Sequence, residues 1–386
     1  MFTEKVKKAG KDLIAARRYF HAHAELSFEE YETTAYLIRE LEKIPGVTLL
    51  RPTETGVVAV LKGDLPGRTI AFRADIDALP IGEQTELPFA SVNKGVMHAC
   101  GHDGHAAMQL EAVRILAEER ASLKGEVRFI FQHAEEKPPG GAVEMLRAGM
   151  MEGVDELYGL HLSSSYPTGH FGVRSGALTS ATDRFEIRVI GSEGHSAFPE
   201  SCVDPVVTAA QIITDLQTIV SRRIPASEAA VVSVCEVKAG NVYNVIPREA
   251  YLSGATRTFS KKTRTSLPEM MEQIVKGICD AHGAGYDFRF EKGYASVVND
   301  PGLTELSRTL LTETFGPEHV FEIGLLMPGE DFSALQENCP GFFMELGAGS
   351  AEGCDVPHHN SRYCMDEDAL LYGLEYIYRQ VKSRLA

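Results

Sequence analysis

Asp103–Phe131, DGHAAMQLEAVRILAEERASLKGEVRFIF, joins a helical period to a strand. Ala107, Leu110, Ala112, Ile115 and Leu116 recur near one face of a helix predicted over 103–120. The run EVRFIF, Glu126–Phe131, then reads as a strand. Upstream, RTIAFR (Arg68–Arg73) is a strand running into a turn over Asp75–Pro80, and downstream ELYGLHL (Glu156–Leu162) is another. Strands alternating with helices predict an α/β unit with a largely parallel sheet.

The pattern changes after about residue 176. A strand over 183–190, a long amphipathic helix over 204–222, strands over 229–237 and 248–257, a helix over 264–282 and a strand over 286–290 follow in turn. The order β-α-β-β-α-β is ferredoxin-like and makes a small domain by itself. The expected architecture is therefore a large mixed, mainly parallel α/β/α domain (1–176 and 293–386) with an inserted ferredoxin-like α+β domain (177–292). At 386 residues the chain is long enough for two hydrophobic cores.

Composition narrows the function. Hydrophobic residues make up 44% and charged residues 24%, ordinary for a soluble globular protein. No apolar run approaches a membrane span. The N-terminal stretch is charged and lacks the apolar segment of a signal peptide, so a cytoplasmic protein is expected. A net charge of −16 repels phosphate backbones and argues against nucleic acid as a partner. The seven cysteines are scattered and do not suggest a disulfide framework.

The densest chemical signal is HACGHDGH, His98–His105, just ahead of the helix. Thiolate and imidazole are good ligands for zinc, manganese or nickel class ions. In an extended segment the spacing of Cys100 and His102 points both side chains to one side. A second signal, His133-Ala134-Glu135-Glu136, directly follows the strand EVRFIF, where ligands of open α/β sheets collect. Of two adjacent carboxylates, one can bind metal while its neighbour moves protons. His161 near the end of a strand and His358-His359 in a Gly-rich C-terminal region are weaker signals: the first could be a core histidine, the pair an exposed loop. Together the four supply cysteine, carboxylate and imidazole for a two-metal hydrolytic site. In the inserted domain, His195, Asn244 and Arg257 are donors suited to an oxyanion and a carboxylate, although Asn244 could equally be a turn former and Arg257 an exposed strand residue.

These motifs resemble those of the M20 metallopeptidase family, in its amidohydrolase branch of hippurate hydrolases, auxin-conjugate hydrolases and N-acetyl-diaminopimelate deacetylases. The resemblance runs almost end to end. It rests on FHAHAELSF (Phe20–Phe28), FRADIDALP (Phe72–Pro80), MHACGHDGH (Met97–His105), FQHAEE (Phe131–Glu136), GHSA (Gly194–Ala197), NVIP (Asn244–Pro247) and EDFS (Glu330–Ser333). It implies a binuclear site of two divalent ions (Mn2+, Zn2+ or Ni2+) with Cys100, His102, Glu136, His161 and His359 as ligands, and Asp75 in the outer shell. It implies Glu135 as general base, His195 of a second subunit as oxyanion donor, Asn244 and Arg257 as carboxylate anchors, and a homodimer or homotetramer.

The sequence departs from the family pattern at three places. Ala24 precedes Glu25-Leu26 where the family has proline, His133 stands where FQPAEE has proline, and the C-terminal histidine motif lacks its proline at His358-His359-Asn360-Ser361. Aligning Arg362-Tyr363 with the family's basic–aromatic pair selects His359, and leaves His358 open. The activity implied is hydrolysis of the amide bond of small N-acyl amino acids, releasing a carboxylic acid and an amino acid. A metallo-dipeptidase and a non-catalytic metal-binding protein are the alternatives.

Overall fold

The computed structural model describes residues 2–386. Two compact units emerge. The first comprises the chain up to Gly176, Val297–Gly324 and Asp331–Ala386; the second comprises Ala177–Ser296 and Leu325–Glu330.

The first unit is built on an eight-stranded sheet. Its strands lie in the order Val47–Leu50, Val57–Lys62, Lys124–Gln132, Leu65–Asp75, Glu156–Ser163, Gly341–Gly347, Phe171–Val173 and Val320–Glu322. Four central strands, from Lys124–Gln132 to Gly341–Gly347, run parallel to one another. Val57–Lys62 runs antiparallel to both its neighbours, Lys124–Gln132 on one side and Val47–Leu50 on the other. Leu65–Asp75 is exposed over its first four residues and buried over its last six. Its carboxyl end is thus enclosed, and so is that of Lys124–Gln132.

The helix His102–Ala117 starts at Gly101, whose φ of 97° is left-handed and suits glycine. A Cβ there would also sit 3.0 Å from Tyr363 Oη. Every residue of this helix except Arg114 and Ala117 is buried. It packs against the helices Glu4–Ala22 and Ala369–Leu385 and the central strands, so its circumference is covered and the one-faced pattern of a surface helix is blurred. One buried network of two contacts fixes its start: Asp103 pairs with Arg17 Nε at 2.9 Å and with His21 Nδ1 at 2.8 Å.

The second unit contains a four-stranded antiparallel sheet in the order Ala230–Ala239, Glu249–Thr258, Ala181–Ile190, Gly285–Lys292. The helices Pro205–Thr218 and Lys261–His282 complete the ferredoxin-like topology. Strict alternation in Ala181–Ile190 turns Phe185, Ile187 and Val189 into a core with Ile212, Leu216, Leu267, Met271 and Val275. Asp183 points inward too, and Arg264 answers it with Nη2 at 2.6 Å from Oδ1. The helix expected over 204–222 ends as α-helix at Thr218 and continues as a π-helical turn over Ile219–Arg223. Leu325–Glu330 joins this unit through backbone bonds, Leu326 N to Leu178 O (2.8 Å) and Ser180 N to Leu326 O (2.9 Å). Among the described residues no helix is long and apolar enough to cross a membrane.

Candidate metal centre

At the carboxyl ends of the parallel strands the first unit gathers an unusual set of donors. Register explains why. Asp75 is opposite Gln132 and Arg73 is opposite both Ile130 and Gly159, so these strands end at nearly one level. The residues that follow, Asp77, Glu135 and Glu136, and His161 near the end of its own strand, therefore meet.

Within this unit four overlapping sets have donor atoms within 4.8 Å of one another: Cys100, His161 and His358; Cys100, Glu136 and His359; His102, Glu135 and Glu136; and Asp75, His102 and His105. Cys100 stands in two sets and His102 in two others. The two do not share the side of an extended segment, as the C-x-H spacing suggested. The left-handed Gly101 between them turns the chain into the helix, and they come to the site from different backbone conformations.

Of the three histidines in HACGHDGH, only His102 presents a nitrogen without a hydrogen bond to the centre. Its Nδ1 faces two acceptors, the Asp77 carbonyl at 3.0 Å and Oδ1 at 3.2 Å, so it must carry the proton. Its Nε2 is buried and has no hydrogen-bond partner among the described residues. Such an arrangement fixes the tautomer of a metal-binding imidazole. His105 is consumed by structure: Nδ1 donates to Asp75 Oδ1 at 2.6 Å and Nε2 accepts from Leu162 N at 2.9 Å. His98 is buried elsewhere, and burial lowers it to about 4. His161 repeats the arrangement of His102, with Nδ1 donating to Leu162 O at 2.7 Å and Nε2 3.4 Å from Cys100 Sγ.

Asp77, which the sequence reading passed over, organises this end of the site. Besides holding His102 it accepts from Glu136 N at 3.0 Å and from Ser27 Oγ at 2.7 Å. Its place two residues beyond Asp75 in FRADIDALP was the available signal. Beneath it, Arg73 links Asp75 (2.7 Å) to Asp331 (2.6 Å), and Asp331 also accepts from Gln132 Nε2 and Ala142 N. Asp75 is thus engaged by Arg73 and His105. Glu30 Oε1 accepts from Ala134 N at 2.8 Å, and Ala134 adopts a left-handed φ of 50° immediately before Glu135.

The electrostatics fit a cation. Burial and the neighbouring Glu136, Glu135 and Asp75 push the Cys100 thiol well above its ordinary range. Burial disfavours charge on His102, yet Asp75, Asp77 and Glu136 outweigh it and raise the imidazole to about 10. The potential is negative enough to hold a proton where a divalent ion would serve instead. On the C-terminal loop, His359 Nε2 lies 3.2 Å from Glu136 Oε1, and the His358 ring lies 5.1 Å from that of His161. The sequence favours His359 and leaves His358 open; both histidines arrive. The same loop corrects the reading of the cysteines, since Cys354 and Cys364 form a disulfide that closes it.

Within the second unit, Gly194–His195 pairs with Val245–Ile246, and Ser196 N donates to Asn244 O at 3.1 Å. His195 and Asn244 are therefore neighbours, and both are exposed. Arg257 lies on the strand Glu249–Thr258, half-buried, with Nη1 donating to Thr256 O at 2.9 Å.

Residues 71–383 match peptidase family M20/M25/M40. The chain belongs to this family. It is 49% identical over 294 residues to an N-acyl-L-amino acid amidohydrolase of Geobacillus stearothermophilus, covering 76% of this chain and 80% of that one. It is 43% identical to an N-acetylcysteine deacetylase of Bacillus subtilis, covering 94% of each. A solved Bacillus subtilis structure described as a dinuclear metal-binding peptidase of the M20 family superposes with a TM-score of 0.86 at 38% identity, covering 98% of this chain and 99% of that one. The mixed sheet and the ferredoxin-like unit described above are thus this M20 chain's version of a fold already seen in a metal-binding relative.

Proposed function

We propose that this M20 chain hydrolyses the amide bond of N-acyl amino acids with two divalent metal ions, releasing a carboxylic acid and an amino acid. The observation that carries the proposal is the chain of overlapping donor sets at the strand ends, in which Cys100 is grouped with His161 and with Glu136 and His359, and His102 with Glu135 and Glu136. The named activities of its amidohydrolase and deacetylase relatives point the same way. The ions would polarise the scissile carbonyl and acidify a water. Glu135 takes the proton of that attacking water and returns one to the leaving amine. His195 donates to the carbonyl oxygen as it gains negative charge. Asn244 and Arg257 hold the substrate's α-carboxylate. Asp77 keeps His102 in the tautomer whose Nε2 is available.

The domain roles follow: 1–176 and 293–386 hold metal, and 177–292 acts as lid and dimerisation domain. His195 then serves a site in a second copy of the chain, and the protein works as a homodimer or homotetramer in the cytoplasm. The test is a hydrolysis panel of N-acetyl, N-benzoyl and indole-acetyl amino acids beside plain dipeptides, with manganese, zinc or nickel added to metal-free protein. Metal-dependent release of amino acid from the N-acyl series is expected. Turnover confined to dipeptides would move the assignment to a dipeptidase, and no metal-dependent turnover of either series would reject it.

A further inference from the structure

Two consecutive histidines usually diverge, because successive side chains of an extended chain point to opposite sides. His358 and His359 do not. His359 has a φ of 59°, in the left-handed region uncommon for a residue with a Cβ. The torsion φ carries Cβ around the N–Cα bond relative to the preceding peptide. A positive value swings the His359 side chain to the side it would avoid in a strand. The His359 N–H also bonds to Ala99 O at 2.8 Å, pinning the loop beside Cys100. Both rings consequently face the centre.

They meet different donors there. His359 shares a set with Cys100 and Glu136, and His358 shares one with Cys100 and His161. The His358 ring packs 5.1 Å from His161 on one side and 5.1 Å from Tyr363 on the other. Its Nε2 is buried and has no hydrogen-bond partner among the described residues. An imidazole nitrogen left unpaired in the interior is costly unless something else satisfies it. Ligands of a tetrahedral zinc-class ion, at about 2.0–2.3 Å from the metal, stand roughly 3.3–3.7 Å from one another. The 3.4 Å between Cys100 Sγ and His161 Nε2 is of that size, and the His358 donor lies within 4.8 Å of both.

We infer that the two histidines are divided between the ions, His358 joining Cys100 and His161 on one and His359 joining Cys100 and Glu136 on the other. This rests on the two-ion reading above and adds a ligand to it. It makes the two positions chemically unequal. The set with His358 offers only sulfur and nitrogen, which favours zinc-class ions; the set with Glu136 includes a hard carboxylate, which suits manganese as well.

The experiment reads metal rather than turnover. Metal-free wild type, His358→Leu, His359→Leu, His161→Leu and Glu136→Gln are titrated with Co2+ against a chromophoric chelator, and the cobalt–thiolate and d–d bands are recorded at each step. Wild type should take up two ions. His358→Leu should weaken one of them by about 100-fold or more, since even the loss of an outer partner costs 10–100-fold, and its spectrum should match that of His161→Leu. His359→Leu should instead match Glu136→Gln. Far-ultraviolet circular dichroism and unfolding of each metal-free variant establish that it folds, and His358→Gln repeats the test with a polar replacement. Wild-type affinity for both ions in a folded His358→Leu overturns the division, as does a His359→Leu spectrum that mimics His161→Leu. Those results leave the two-ion reading standing. Fewer than two ions in wild type overturns that reading and this inference together.

Discussion

His102 and His195 are both histidines held for the same proposed reaction, yet their surroundings are opposite. His102 is buried, its Nδ1 is tied to Asp77, and Asp77 is itself held by Ser27 and Glu136. His195 is exposed, with Nδ1 accepting from Ala197 N at 3.0 Å. The first belongs to a centre whose geometry is set before anything binds. The second, with Asn244 beside it, remains open to solvent. A hydrogen-bond donor in water stabilises developing charge far less than one in a dry site. The candidate metal-binding residues are thus preorganised by their own unit, whereas His195 and Asn244, in the proposed roles, need substrate, closure or a second copy to exclude water around them.

The contrast can be broken by mutation, and the largest effect is expected in the rigid region. Glu135→Gln should keep its metal content and lose turnover by about 10²–10⁴-fold or more, the usual range for a general base. Metal analysis beside kcat checks this, and near-normal turnover in the fully loaded variant would remove Glu135 from the role. Arg257→Ala should weaken substrates with a free α-carboxylate by roughly 2–5 kcal/mol relative to their amide analogues. Equal losses in kcat/KM for acid and amide would show that Arg257 does not hold the carboxylate.

His195→Ala should lower kcat by about 10²–10³-fold, comparable to removing one oxyanion donor, without changing metal affinity. Mixing this variant with Glu135→Gln sharpens the comparison further. If the site is shared, random reassortment leaves half the dimers mixed, each with one intact site of two, and activity should return to about a quarter of wild type. No recovery after verified subunit exchange would place His195 in the site of its own chain. Asp77→Asn should be the mildest change. It keeps the shape, removes the charge that orders His102, and should weaken metal binding by roughly 10–100-fold. An unchanged affinity would mean that the tautomer of His102 is set by the Asp77 carbonyl alone.

Much of this protein can be read locally, because local patterns carry it. The period of Asp103–Phe131 marks the central helix and the strand beside it, the β-α-β-β-α-β succession marks the ferredoxin-like unit, and the chemistry of Cys100, Glu135 and Glu136 marks a candidate metal centre. Those signals depend on neighbours along the chain. What depended on neighbours in space was not legible. His98, His102 and His105 are equivalent donors in sequence, and only the packing around them decides that His105 is spent on Asp75 and Leu162. The role of Asp77 needs Ser27, His102 and Glu136, residues up to 59 positions away, brought to one point. The pairing of Cys354 with Cys364 requires a loop whose ends return to a Cα separation of 4.9 Å. A choice between His358 and His359 could be posed from the sequence, but the backbone torsion at His359 brings both to the centre, and such a torsion is set by the tertiary contacts that make it tolerable.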